Sequence, residues 1–158
     1  SASGFQSDQF RALEAVLGRK TRASVERFEE GSRAREALEQ RWAAPTLWDH
    51  FLDYLATEGH AVPKEQLQRD VRRPIEPSER LQLVLVELYR NDPKNTVLCE
   101  RLVDLDEGLQ EWRYRHVKMV ERTIGHKTGT GGSAGSAYLR TTLNSAVFPD
   151  LWAIRAQL

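Results

Sequence analysis

The chain has 158 residues, enough for one domain whose core needs neither disulfides nor a structural metal. Lys plus Arg number 23 and Asp plus Glu also 23, so the net charge is zero and no global field recruits nucleic acid or an anionic membrane. Cys99 is the only cysteine, which excludes an intrachain disulfide framework and fits a reducing cytoplasm; no apolar run reaches the roughly 18 residues of a membrane span, and the first residues lack a charged-then-apolar signal pattern.

The opening SASGFQS carries no methionine and is read as the cut edge of something longer. Ser7 is placed to cap a helix over Asp8–Leu17, with Phe10, Leu13 and Leu17 at three-and-four spacing and Gly18 as its stop. A short helix through Val25 and Phe28 follows, and after the break at Gly31 another runs from Ser32 toward Trp42. Pro45 and Thr46 start a clearer helix, with Leu47, Phe51, Tyr54 and Leu55 as its buried face and Gly59 as its end. Residues 62–77 hold Pro63, Pro74 and Pro77 among many charges, and the pattern predicts an exposed linker.

Ser78 caps the next helix, lined by Leu81, Leu85, Leu88 and Tyr89 and ended by Asn91–Pro93. The main helix is predicted from about Thr96 to Ile124, spanning on the order of 40 Å. A compact chain of this size has a radius of gyration near roughly 15 Å, so such a helix crosses the whole body and implies bundle geometry shared with other subunits. Short helices over Ala137–Leu143 and Pro149–Leu158 complete the pattern. No segment alternates apolar and polar residues as a strand does, so the fold class is all-α, a helical bundle with one long central helix.

On that helix Leu98, Leu102, Leu105, Leu109, Trp112, His116 and Met119 advance by alternating steps of four and three, which predicts that all seven face inward. His116 then has two readings, a core histidine satisfied by its neighbours or a neutral imidazole ligating a buried metal; spacing leaves both open. Cys99 is expected to pack, not to react.

Just beyond lies GTGGSAG at Gly129–Gly135, a run that lets backbone approach a ligand closely. Its match to G-x-G-x-x-A follows a helix instead of a strand, and Lys127 precedes the glycines, so neither a dinucleotide nor a P-loop fingerprint holds. Thr130, Ser133 and Lys127 favour recognition of a small polar group over a plain linker. His50, His60, His116 and His126 form no zinc motif. Haem held by one axial histidine fits the pattern, noncovalently because C-x-x-C-H is absent. Arg113, Arg115, Lys118 and Arg122 are then either partners for propionates or a solvated helix face.

Four blocks in order, SASGFQSDQFR at the start, WRYRH at Trp112–His116, IGHKTGTGGSAGSAYLR at Ile124–Arg140 and FPDLW at Phe148–Trp152, resemble the tryptophan 2,3-dioxygenase family. The resemblance runs over essentially the whole chain, more weakly over 23–90, and covers the C-terminal part of that family's catalytic subunit. It implies one all-α haem-binding domain over residues 1–158 of a longer subunit. The implied enzyme contains noncovalent haem b and converts L-tryptophan and O2 to N-formyl-L-kynurenine in the kynurenine pathway of tryptophan catabolism. It implies that His116 is the axial ligand of the haem iron, that Thr130 and Gly129 bind the substrate's zwitterionic end, that Ser3 and Gly4 line the haem pocket near the indole, and that Arg11 lies near a propionate. His126 stands at a variable position of the motif, and Ala134 where serine is common. The family's catalytic distal residues lie upstream of Ser1, so no catalytic residue is expected within this chain; a missing N-terminal segment, in cis or as a second chain, is the expected partner. A cytoplasmic homotetramer without nucleic-acid or membrane partners is implied as well. The alternatives are a related haem enzyme oxidising another aromatic amino acid and a haem-free helical interaction module.

Overall fold

The computed structural model of the protein describes residues 8–20, 25–124, 143 and 145–158, and among these every regular element is a helix. The expected all-α architecture is therefore observed. Helix α1 spans Asp8–Leu17. It stops because Gly18 turns to a φ of +143°, outside the range an L side chain favours, while the amides of Gly18 and Arg19 close back on the Glu14 carbonyl at 3.0 and 2.8 Å.

Helix α2, Arg33–Ala43, is capped by Ser32, whose side chain accepts from the Arg35 amide; its one fully buried residue, Leu38, lies on a helix that packs against α1. Helix α3, Leu47–Thr57, begins with a capping box in which Thr46 and Asp49 satisfy each other's backbone amides. Its buried face is Trp48, Phe51, Leu52 and Leu55, so Leu47 and Tyr54 sit at the edge of the core and not, as expected, in it.

The proline-rich stretch 62–77 departs from the expectation of an exposed linker. Val62 and Pro63 are buried, Lys64–Leu67 form a single helical turn, α4, and Arg69 makes a two-pronged pair with Asp49 at 2.6 and 2.9 Å. Both side chains of that pair are nearly buried. Prolines rule out long helices, but they do not keep a segment off the core, and here an ion pair straps it to α3.

Helix α5, Glu79–Asn91, starts at Ser78 and buries Leu81, Leu85, Val86 and Leu88. Helix α6 spans Pro93–Ile124, 32 residues, or roughly 48 Å at 1.5 Å per residue. Its first turn is anchored by Asp92, which accepts from the Asn95 amide at 3.1 Å. Helix α7, Pro149–Ala153, and a 3-10 turn at Arg155–Gln157 close the chain. Trp48 lies at the centre of the core, 5.2 Å from the Phe51 ring and 5.5 Å from that of Phe148; α3, α5, the first half of α6 and α7 surround it.

The face that α6 buries is not the predicted apolar stripe. Leu102 is buried and Leu109 packs on the core as expected, but Leu98, Leu105, Trp112 and Met119 are exposed, and the other buried positions are Asn95, Cys99, Val103, Asp106, Arg113 and Val117. The buried line is offset by one residue, about 100° around the helix. Three of its members are polar; Asn95 is held locally by Asp92, while Asp106 and Arg113 are matched by partners from distant segments, which is why a count of apolar residues selects the neighbouring stripe. Cys99 packs as expected, its thiol pushed up to about 12 by burial. No described helix is long and apolar enough to cross a membrane.

Candidate functional site

His116 lies in the last third of α6, on the flank of the buried face and not at its centre. The side chain is half-buried, but its Nε2 atom is shielded from solvent. Trp112, one turn earlier, stacks on the imidazole with ring centroids 5.4 Å apart and planes 16° from parallel, a meeting that the i, i+4 spacing of a helix makes natural. Burial lowers the imidazole's pKa below its ordinary value, so near neutral pH the ring is uncharged. A histidine ligates metal only in that form, and an aromatic wall along one face fixes the plane in which its lone pair points. His116 therefore fits the role of a single nitrogen ligand to a metal-bearing cofactor.

Of the cations around His116, Arg115 and Lys118 are exposed and pair along the helix with Glu111 and Glu121, as a solvated face does. Arg113 differs. Its side chain is fully buried; Nη2 donates to Glu14 Oε1 on α1 at 3.0 Å and Nη1 to the Ser145 carbonyl at 2.8 Å. Burial draws its pKa below the usual guanidinium value, yet a guanidinium keeps its proton at any physiological pH. Two turns earlier, Asp106 Oδ2 accepts from the amides of Val147 and Phe148 and from the indole of Trp152, each at 2.9 Å.

Of these two polar residues of α6, Asp106 was missed by the sequence reading, and Arg113, read as a propionate partner or part of a solvated face, is instead buried against Glu14 and Ser145. The available signal was a second three-and-four series, Cys99, Val103, Asp106, Gln110, Arg113 and Val117, one residue along from the chosen one and interrupted by polar and charged side chains.

Arg11 belongs to α1, whose body is tied to α6 through Glu14; the side chain of Arg11 is outside the description. Ser3, Gly4, Gly129 and Thr130 lie outside the described residues, as do Ser7 and the predicted helix over Ala137–Leu143. Among the described residues no group of three His, Cys, Asp or Glu side chains is arranged to hold a metal ion. A surface depression of about 570 Å3 between Gly59, His60, Leu83, Glu87 and Arg90 does not include His116.

Fold and site together define an all-helical protein that presents one shielded imidazole from its longest helix. Residues 55–158 match the model of the tryptophan 2,3-dioxygenase family, and the chain belongs to that family. It is similar over its whole length to curated proteins named tryptophan 2,3-dioxygenase: one from Herpetosiphon aurantiacus, 58% identical over 158 residues and covered to 60% of its length; one from Anaeromyxobacter sp. (strain K), 55% identical and covered to 59%; and one from Arthrobacter sp. (strain FB24), 42% identical and covered to 57%. The chain thus spans about 60% of the length of the curated relatives it matches.

Proposed function

We propose that the protein carrying this chain is a haem-dependent dioxygenase that converts L-tryptophan and O2 to N-formyl-L-kynurenine, with His116 as the axial ligand of the iron. The observation that carries this reading is the shielded Nε2 of His116, in a ring kept neutral by burial and faced by Trp112, within a chain of this family. Haem b, held noncovalently, supplies the iron at which dioxygen is activated. In the overall reaction the indole C2–C3 bond breaks and each carbon gains one oxygen atom, so all atoms of both substrates are retained in the product.

The chain's own residues bind and orient. His116 holds the cofactor from one side; Thr130 and Gly129 take the ammonium and carboxylate of tryptophan; Ser3 and Gly4 belong to the haem pocket near the indole; Arg11 belongs near a propionate. Orientation of this kind converts an encounter into an intramolecular reaction. The residues on the opposite side of the cofactor belong to an N-terminal segment supplied in cis or by a second chain, and residues 1–158 act as one helical domain of the larger subunit. The exposed apolar row Leu98, Leu105, Trp112 and Met119 on α6 supports coverage of that helix by further chain, in a cytoplasmic homotetramer.

Replacing His116 by Ala in the full-length protein tests the assignment. The variant is expected to lose stoichiometric haem while far-UV circular dichroism stays near wild type, and added imidazole to restore part of the Soret band. A variant with the wild-type Soret spectrum would show that another residue ligates the iron.

A further inference from the structure

Asp150, the second residue of α7, is a buried carboxyl with only one of its oxygens satisfied. The residue has no exposed surface. Its Oδ1 accepts from the Ser78 amide and from the side-chain amide of Gln82, each at 2.8 Å, and these bonds across 72 and 68 residues hold α7 against the first turn of α5. Its Oδ2 is shielded from solvent and has no partner. The charged groups on the elements around it are engaged elsewhere or face solvent: Arg80 of α5 pairs with Glu65, Arg155 of the 3-10 turn with Glu100 of α6, and Asp49 of α3 with Arg69. Asp106 of α6 accepts from the Val147 and Phe148 amides and the Trp152 indole, and Glu76 and Glu79, on either side of Ser78, are exposed. Both donors to Asp150 are neutral, and burial pushes its carboxyl above the ordinary 3.8 against the opposing pull of the Gln82 and Ser78 bonds.

We infer that Asp150 is a proton-operated latch between the C-terminal helix α7 and the start of α5: the protonated carboxyl closes the contact, and its ionisation leaves an uncompensated buried charge that loosens it. The proton belongs on Oδ2, because Oδ1 then stays a carbonyl oxygen and keeps both of its hydrogen bonds. A helix N-terminus favours an anion modestly, but a carboxylate taken out of water with no cation beside it costs more than that. The folded protein holds this proton more tightly than the unfolded chain does. The contribution to folding is therefore complete below 3.8 and is lost as pH rises through the higher folded-state value. Asp49 works in the opposite sense, since its partners hold its carboxyl below the ordinary value. The latch bears on the end of the chain, because α7 carries the Trp152 indole that reaches Asp106 and follows the Phe148 ring that stacks on Trp48.

The test compares the full-length protein with Asp150→Asn, whose amide keeps the Oδ1 acceptor and matches the shape of the protonated carboxyl. Urea unfolding from about pH 4 to about pH 8 reads the effect as the difference between the two proteins, in which the other titrating groups cancel. The variant is expected to be no more stable than wild type at the acid end and to have the higher urea midpoint at the alkaline end. Hydrogen exchange, corrected for its intrinsic pH dependence, should rise severalfold with pH at residues 78–82 and 150–154 of wild type, and should not do so in the variant. A midpoint difference that stays constant or falls with rising pH overturns the inference and leaves Asp150 a plain tie. Should the variant fail to fold, the infrared band of a protonated carboxyl decides the matter in wild type and in Gln82→Leu, which takes one donor from Oδ1. The band is expected to outlast the ordinary carboxyl range in folded wild type and to persist to higher pH in Gln82→Leu. Its disappearance within the ordinary range, or a band that Gln82→Leu does not move, overturns the inference as well.

Discussion

Removal of the Asp106 carboxylate is the sharpest test of how the end of the chain is held. Asp106 is fully buried on α6, and one of its oxygens accepts three hydrogen bonds of 2.9 Å, from the Val147 and Phe148 amides and the Trp152 indole, while the other accepts from Gln110 at 3.2 Å. In Asp106→Ala the two amides lose their acceptor in a region where Val147 and Phe148 are themselves buried, at about 1–3 kcal/mol each, and the indole adds a further part. Relief of the carboxylate's own desolvation offsets some of this, which leaves a net loss of about 4 kcal/mol. Asp106→Asn keeps a carbonyl acceptor and the shape of the side chain but not the charge, and should cost about half as much. Urea unfolding measures both, as a lower midpoint at unchanged slope. An Ala variant within about 0.5 kcal/mol of wild type, or an Asn variant less stable than Ala, would refute the reasoning.

Two further outcomes follow from local geometry. Gly18→Ala puts a side chain at a φ of +143° and drives its Cβ into the Cδ1 of Ile75, whereas Gly31→Ala at +79° meets open space; thermal melting should show a larger loss for Gly18, about 2 kcal/mol against about 1, and the reverse order would exclude the Ile75 contact as the cause. Asp49 is penalised by burial, but its bonds to Arg69 and Thr46 outweigh that and hold its carboxyl below the ordinary value of 3.8. The unfolded chain therefore binds this proton first, and the stabilisation present above pH 3.8 is lost as pH falls through the lower folded-state value; Asp49→Asn should flatten acid unfolding in that range, and an acid limb as steep as wild type would refute the assignment.

The parts of the fold legible in the sequence are those set by neighbouring residues. Ser32, Thr46 and Ser78 cap the helices they precede, and Gly18, Gly31 and Gly59 take the positive φ that their positions at helix ends suggested. A cap or a glycine stop is decided within about four residues, so a linear reading has all the information it needs. The inner face of α6 is different. Asp106 and Arg113 can be buried only because Val147, Phe148, Trp152, Glu14 and Ser145 arrive from elsewhere in the chain to match them, and nothing near them in the sequence announces those partners. Residues 62–77 misled for the same reason, since Arg69 is drawn to the core by Asp49, twenty residues earlier.

His116 was singled out through a stripe that proved to be the wrong one. It nonetheless differs from the exposed members of that stripe: Leu98, Leu105 and Met119 are exposed, whereas the Nε2 of His116 is shielded and Trp112 covers its ring. The local block WRYRH carried this information where the long-range periodicity did not, because i, i+4 stacking is settled within the block. Within those same five residues Arg113 faces the core and Arg115 the solvent, two residues apart and therefore about 200° around the helix. One short block thus offers an imidazole on the flank, an aromatic wall beside it and a buried clamp beneath, and the constraint on each of the three positions has a different physical origin.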